Sequence, residues 1–170
     1  MADFTRYVNT ASSGGDGTTN NTSGATAAYA SIKDAADAAI TVASGDTYTI
    51  LCTGGEDLLT AVADFTQWTM NGTGYQLTIE PNTGQGHNNK FDSSKYHIKS
   101  TTSGIDYVEI GPKQRIRHIQ FDMAGTFSSG LTTAIRNGDN NPGYLGVGKV
   151  LIQISGTAGV GEVKAIRNLL

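Results

Sequence analysis

The chain has 170 residues, enough for one domain with a sizeable core and too few for two comfortable ones. Charged residues make up 16%, against roughly 25% in an average soluble domain, and the net charge is −3 with no sustained basic run. That balance excludes phosphate-driven nucleic-acid binding and attraction to anionic membranes. A single cysteine excludes an intramolecular disulfide, and no stretch approaches the ~20 apolar residues of a membrane-spanning helix.

In chain order, "MADFTRYVNT" lacks the basic-then-apolar pattern of a secretory leader, so the chain is expected to have none. Without one, the N-x-[ST] triplets at Asn20, Asn21 and Asn71 carry no weight as glycosylation sites. "NTASSGGDGTTNNTSGAT" is rich in small residues but has neither the Lys-Ser/Thr of a P-loop nor G-x-G-x-x-G spacing; it reads as a surface loop. "SIKDAADAAITVASGD" then places Ile32, Ala35, Ala36, Ala39 and Ile40 on one apolar stripe. Ser31 with Asp34 makes a capping-box-like start, and Gly45 is the predicted stop. Such a flat alanine face suits a helix laid across the end of a stack of strands.

After Gly45 the period changes. "TYTILCT", "FTQWTM", "YQLTIE", "YHIKS", "YVEIG", "IRHIQFDM", "KVLIQIS" and "EVKAI" each alternate over three to five residues, and the segments between them are turn chemistry. Cys52, inside the first of these runs, reads as a small buried hydrophobe. The absence of a second helical pattern excludes a βαβ sheet, leaving a sandwich or barrel, or a parallel β-helix. Short uneven strands, turn insertions of varied length, one helix ahead of the first strand and few Asn-Gly hairpin signals favour the β-helix.

Two segments carry a resemblance. "RYVNTASSGGDGTTNNTSGATAAYASIKDAADAA" followed by "SGDTYTIL" resembles the opening of right-handed parallel β-helix (pectate-lyase-like) proteins, in which a loop and capping helix precede the first turn of strands. "YQLTIEPNTGQGHNNKFDSSKYHI" is similar to a segment found in β-helix proteins encoded by phages and environmental genomes. The resemblance spans about residues 4 to 125. It implies an all-β fold: a short right-handed parallel β-helix with one N-terminal capping α-helix. One domain is expected over 1–170, with strand, loop and helix in 1–45 and stacked strands in 46–170. The fold hosts lyases, hydrolases, phage spikes and inert fibres, so it does not by itself fix a function.

His87 sits in a glycine-rich turn, and neither His97 nor His118 stands at metal-ligand spacing from it, so no metal and no cofactor is expected. Lys90, Asp92 and Lys95 are expected to form an ion-paired turn that fixes Phe91 and Tyr96 against the strands. Glycan-active enzymes of the resembling architecture use clustered carboxylates or a Lys or Arg base. The strand-region acids Glu80, Glu109, Asp122 and Glu162 form no local cluster, so no catalytic residue is assigned. Were the chain an enzyme, the candidates are Arg115 and Arg117, which alternate onto one strand face, and Glu109. The same face equally fits arginines meeting a carboxylate on the adjacent strand. Trp68, Tyr75, Tyr96, Tyr107 and Tyr144 show no common period and read as packing residues.

The chain's last residues are apolar, and Ile166, Leu169 and Leu170 are the candidate partner interface, since an uncovered stack of strands invites pairing with another chain. The resulting expectation is a structural component of a phage or phage-like virion, capsid-associated, fibre or tail. It is expected to assemble in the host cytoplasm through contacts with itself and other virion proteins, with a glycan as a further candidate partner and neither nucleic acid nor membrane as partner. The alternatives are a polysaccharide-degrading enzyme or tail-spike depolymerase fragment, and a glycan-binding surface adhesin module.

Overall fold

The structure is a computed structural model describing residues 1–102, 104–127, 131–138, 146–158 and 162–168. It is mostly strand, with one short helix. The first sheet holds Asp3–Asn9, Thr47–Thr53, Leu77–Pro81, Gln114–Arg117 and Gly146–Gly148, side by side in sequence order. The second holds Glu56–Leu59, His97–Ser100, Gln120–Met123 and Leu151–Ile154, and the third Ala63–Asp64, Asp106–Ile110, Leu131–Asn137 and Glu162–Asn168. Two minor pairs join Thr41–Val42 to Thr69–Met70 and Thr126–Phe127 to Thr157–Ala158. All the described pairs are parallel.

Parallel neighbours need a long crossover, which in most α/β folds is a helix. Here the crossover is made of strands. From Thr47–Thr53 the chain runs through Glu56–Leu59 and Ala63–Asp64 before returning at Leu77–Pro81 beside its starting strand. Each later pass visits the three sheets in the same order.

Register makes the core. Ile50 pairs with Ile79 and Ile79 with Ile116, all fully buried, and Val147 continues the column. Ile98, Phe121 and Ile152 form a second column, and Val108 with Ile135 a third. Like residues stack because parallel in-register pairing puts equivalent positions on the same side. Fully burying each such side chain contributes about 1.5–3 kcal/mol.

The corner between the first and second sheets shows why strands end where they do. "IRHIQFDM" reads as one strand, but it is two, on different sheets, broken at His118 with φ 58°. One pass later Lys149 does the same with φ 49°. In both, a left-handed residue swings the chain outward, and the next one, Ile119 or Val150, turns back onto the core. A side chain in this conformation costs about 1–2 kcal/mol, which local alternation cannot report. His118→Gly is therefore expected to hold or raise stability, whereas His118→Val should lower it by about 1–2 kcal/mol, read as urea midpoints. Equal midpoints for the two variants would exclude the left-handed corner.

The helix spans Ile32–Asp37 and begins as the spacing predicts: Ser31 Oγ accepts from the Asp34 amide at 3.1 Å and donates to the Asp34 carboxylate at 2.9 Å. It buries Ile32, Ala35 and Ala36 against the Ala63–Gln67 segment at the edge of the third sheet, the end-covering position expected of it. It stops well before Gly45. Ala39 turns left-handed at φ 46°, the Trp68 indole donates to the Ala36 carbonyl at 3.1 Å, and Thr41–Val42 leaves to pair with Thr69–Met70. Tertiary pairing thus replaces the last helical turns, and β-branched Thr41 and Val42 favour that choice.

Further differences share this origin. "FTQWTM" is a 3-10 turn at Phe65–Gln67 followed by a two-residue strand. "EDLL" and "LTTAIRN" are strands that alternation does not single out. Ladders on neighbouring strands impose their extended conformation. The small-residue loop folds back on the outer edge of the first strand, where Asn9 donates to the Tyr29 carbonyl and Tyr29 to the Tyr7 carbonyl. Gly17 is required there: its φ is +74°, and a Cβ would lie 2.3 Å from the Tyr29 ring.

Candidate functional site

Arg115 and Arg117 project from Gln114–Arg117 and meet the residues in register on the adjacent strand. Arg115 Nε donates to Thr78 Oγ1 at 2.8 Å while its guanidinium lies over the Tyr75 ring, 5.3 Å from the centroid. Arg117 pairs with the Glu80 carboxylate. Glu109 lies on the third sheet, where its carboxylate meets Arg136 at 3.1 Å. The three residues are therefore held by separate partners on two sheets. Of the other acids, Asp122 accepts from Ser155 Oγ at 2.5 Å, and the Glu162 side chain lies outside the described residues.

The structure does gather acids, though different ones. Arg136, on Leu131–Asn137, donates to Asp106 at 2.7 Å and is ion-paired with Glu109, and the field of Asp64 also reaches it. Thr60, Ala61 and Val62 with Gly104 and Ile105 wall a cleft of about 370 Å3 over them. The hydrogen bond from Arg136 to Asp106, then the charges of Glu109 and Asp106, push the guanidinium pKa up. "IDYVEIG" already places Asp106 three residues before Glu109, a local pair absent from the strand acids named above; Arg136 arrives from the next pass and leaves no local signal. A glycosidase pair needs one carboxyl able to carry a proton and donate it. Here one guanidinium is ion-paired with both carboxylates, the arrangement of a structural ion cluster. Arg136→Ala is expected to cost about 1–3 kcal/mol in urea unfolding, because it strands two mostly buried carboxylates beside Asp64. A loss below 0.5 kcal/mol would show the cluster to be energetically idle.

The histidine-bearing stretch after Pro81 folds back over the same sheet corner that His118 and Lys149 turn. Gln120, on the outer face of the second sheet, fixes it by accepting from the Asp92 amide at 2.7 Å and donating to the Asp92 carbonyl at 3.1 Å. The Asp92 carboxylate accepts from the Ser94 amide and hydroxyl, which lowers its pKa; Lys95 and Lys90 add only smaller effects. The expected ion-paired turn is thus a hydrogen-bonded one: no ion pair joins Asp92 to either lysine among the described residues. Tyr96 is fully buried, and Phe91 packs edge-on against His97 at 5.3 Å.

Beneath the helix, Asp57 is a charged group inside the core, only 2% exposed. Its Oδ2 accepts from the Ile32 amide at 2.7 Å and from the Tyr96 hydroxyl at 2.6 Å. Burial pushes Asp57 up to about 6, against the opposing effect of these hydrogen bonds. The same burial pushes the Cys52 thiol up, so this cysteine is a packed hydrophobe. Trp68 and Tyr107 are core residues too, Tyr75 is the platform for Arg115, and Tyr144 lies outside the described residues. Among the described residues no group of three or more His, Cys, Asp or Glu side chains is placed to hold a metal ion.

On the outermost described strands Ile154 and Ile166 are exposed at 55% and 42%, whereas Met123 and Ile135, their register partners one pass earlier, are fully buried. Leu169 and Leu170 lie outside the described residues. In comparisons with known proteins, no family model, no curated protein and no solved structure matches this chain.

Proposed function

We propose that the chain is a right-handed parallel β-helix serving as a structural, self-associating component of a phage or phage-like particle. The repeated three-sheet order supports the fold, and crossovers between parallel strands of one sheet are right-handed in about 98% of cases. The observation that carries the assembly role is the exposure of Ile154 and Ile166, whose register partners one pass earlier, Met123 and Ile135, are fully buried. Parallel edges with apolar side chains accept another strand layer, and a second copy of this chain is the partner proposed. The residues that would have served catalysis are each held by a separate partner, Arg115 by Thr78, Arg117 by Glu80 and Glu109 by Arg136, in keeping with a scaffold role. The phage context rests on the sequence resemblance of the opening segment and of the stretch around His87.

Light scattering over a range of concentrations tests the proposal. A trimer or larger closed assembly is expected, shifted toward monomer by Ile154→Lys with Ile166→Lys. A parent chain that stays monomeric throughout would overturn it.

A further inference from the structure

The corner groove is independent of the assembly surface. Two adjoining hollows, each about 420 Å3, share Gly86, His87 and Asn88. His118 and Lys149 line one, and Lys90, Phe91 and Lys95 line the other. These three lysines engage in no ion pair among the described residues, whereas Lys33 and Lys99 are paired with Asp37 and Glu56. One acid, Asp92, lines the groove, and Ser94 already occupies its Oδ1. A chain of net charge −3 therefore sets three lysines and two histidines against a single acid, Asp92, along one concave surface.

The wall is fixed rather than loose. His87 Nε2 lies 2.6 Å from the Lys149 carbonyl oxygen, and the Asn89 amide donates to Nδ1 at 3.2 Å. Nδ1 as acceptor makes Nε2 the protonated nitrogen, so the imidazole clamps the long turn onto the corner one pass further on. An excess of cationic over acidic residues along a concave surface focuses a positive potential and draws in anions.

The cation type narrows the ligand. Arg117 and Arg136 meet planar carboxylates within the stack, as the flat guanidinium fork is suited to do. Lysine lines the groove instead. Ammonium groups act as point charges without a planar demand, which suits the tetrahedral oxygens of sulfate or phosphate, and Asn88 and Asn89 add polar, uncharged lining. We propose that this groove binds a tetrahedral oxyanion, either as the free ion or as an ester carried by a saccharide.

The test is a titration of the full chain with sodium sulfate, followed by amide NMR and matched in ionic strength with sodium chloride. Saturable shifts in residues 84–95, 118 and 149 are expected with sulfate alone. Lys149→Ala and Lys90→Ala should each weaken binding roughly two- to five-fold, while Lys33→Ala, remote on the helix, leaves it unchanged. Equal shifts with chloride, or affinity untouched by Lys149→Ala, would overturn the site. A sulfated disaccharide then identifies the source. Binding at least ten-fold tighter than inorganic sulfate supports the site with an ester ligand, and equal binding supports it with the free ion.

Discussion

Asp57→Asn is expected to leave the protein at least as stable as the parent at pH 7, and to remove a fall in stability that the parent shows between about pH 4 and pH 6. Asp57 stands in the second-sheet column that continues as Ile98, Phe121 and Ile152, an acid where the other members are apolar. Tyr96, Cys52, the helix residue Asp34 and His97 surround it. Its folded-state pKa is about 6 against an ordinary 3.8, so within that window the folded protein retains a proton that the unfolded chain has released. Stability is therefore greatest below the lower value, declines as pH rises through the window, and is level above it. The displacement corresponds to on the order of 3 kcal/mol. Asp16 and Asp92 have the opposite sense: their pKa values are lowered by Thr18 and Ser94, so their contributions are lost only as pH falls below the ordinary carboxylate range. An asparagine keeps an oxygen for the Ile32 amide and the Tyr96 hydroxyl without carrying the charge. Urea unfolding at pH 4, 5, 6 and 7 measures both proteins. A variant with the parent's pH slope, or one several kcal/mol weaker at pH 7, would sink this account.

Ile79→Ala is expected to cost about 2–5 kcal/mol. Ile79 sits midway in the column between Ile50 and Ile116, fully buried, with strands paired on both sides. The cavity cannot close easily, because the register of two ladders would have to shift together. Ile79→Val should cost only about 0.5–1.5 kcal/mol. Ile166→Ala, at the exposed end of the third column, should stay within about 0.5 kcal/mol. Urea midpoints at constant m-value make the comparison. Similar losses at Ile79 and Ile166 would contradict the burial gradient along the stack.

Much of the fold is legible in the sequence, and where it is not, the reason is physical. Ser31 and Asp34 announce the helix start because a cap is a local hydrogen bond. The helix end is not announced: Thr69–Met70 and Trp68, some thirty residues away, offer Ala36 and Thr41–Val42 better partners than another helical turn. "TYTILCT" is a strand over its whole length, whereas "IRHIQFDM" is two, since a left-handed corner at His118 does not disturb the alternation on either side.

The site residues divide in the same way. The alternation of Arg115 and Arg117 placed them on one face, and the adjacent strand supplied Thr78 and Glu80 beneath them. Asp106, Glu109 and Arg136 become a cluster only when one pass is laid on the next. The cationic groove likewise needs Lys90 and Lys95 from the long turn and Lys149 from a later corner, brought together by the His87 clamp. Composition, local alternation and capping chemistry determined by themselves the all-β class, the helix start and the absence of a disulfide. Only the tertiary structure decided which strands share a sheet, where the corners fall and which charges meet, because those depend on register between segments some thirty residues apart, and register has no local signature.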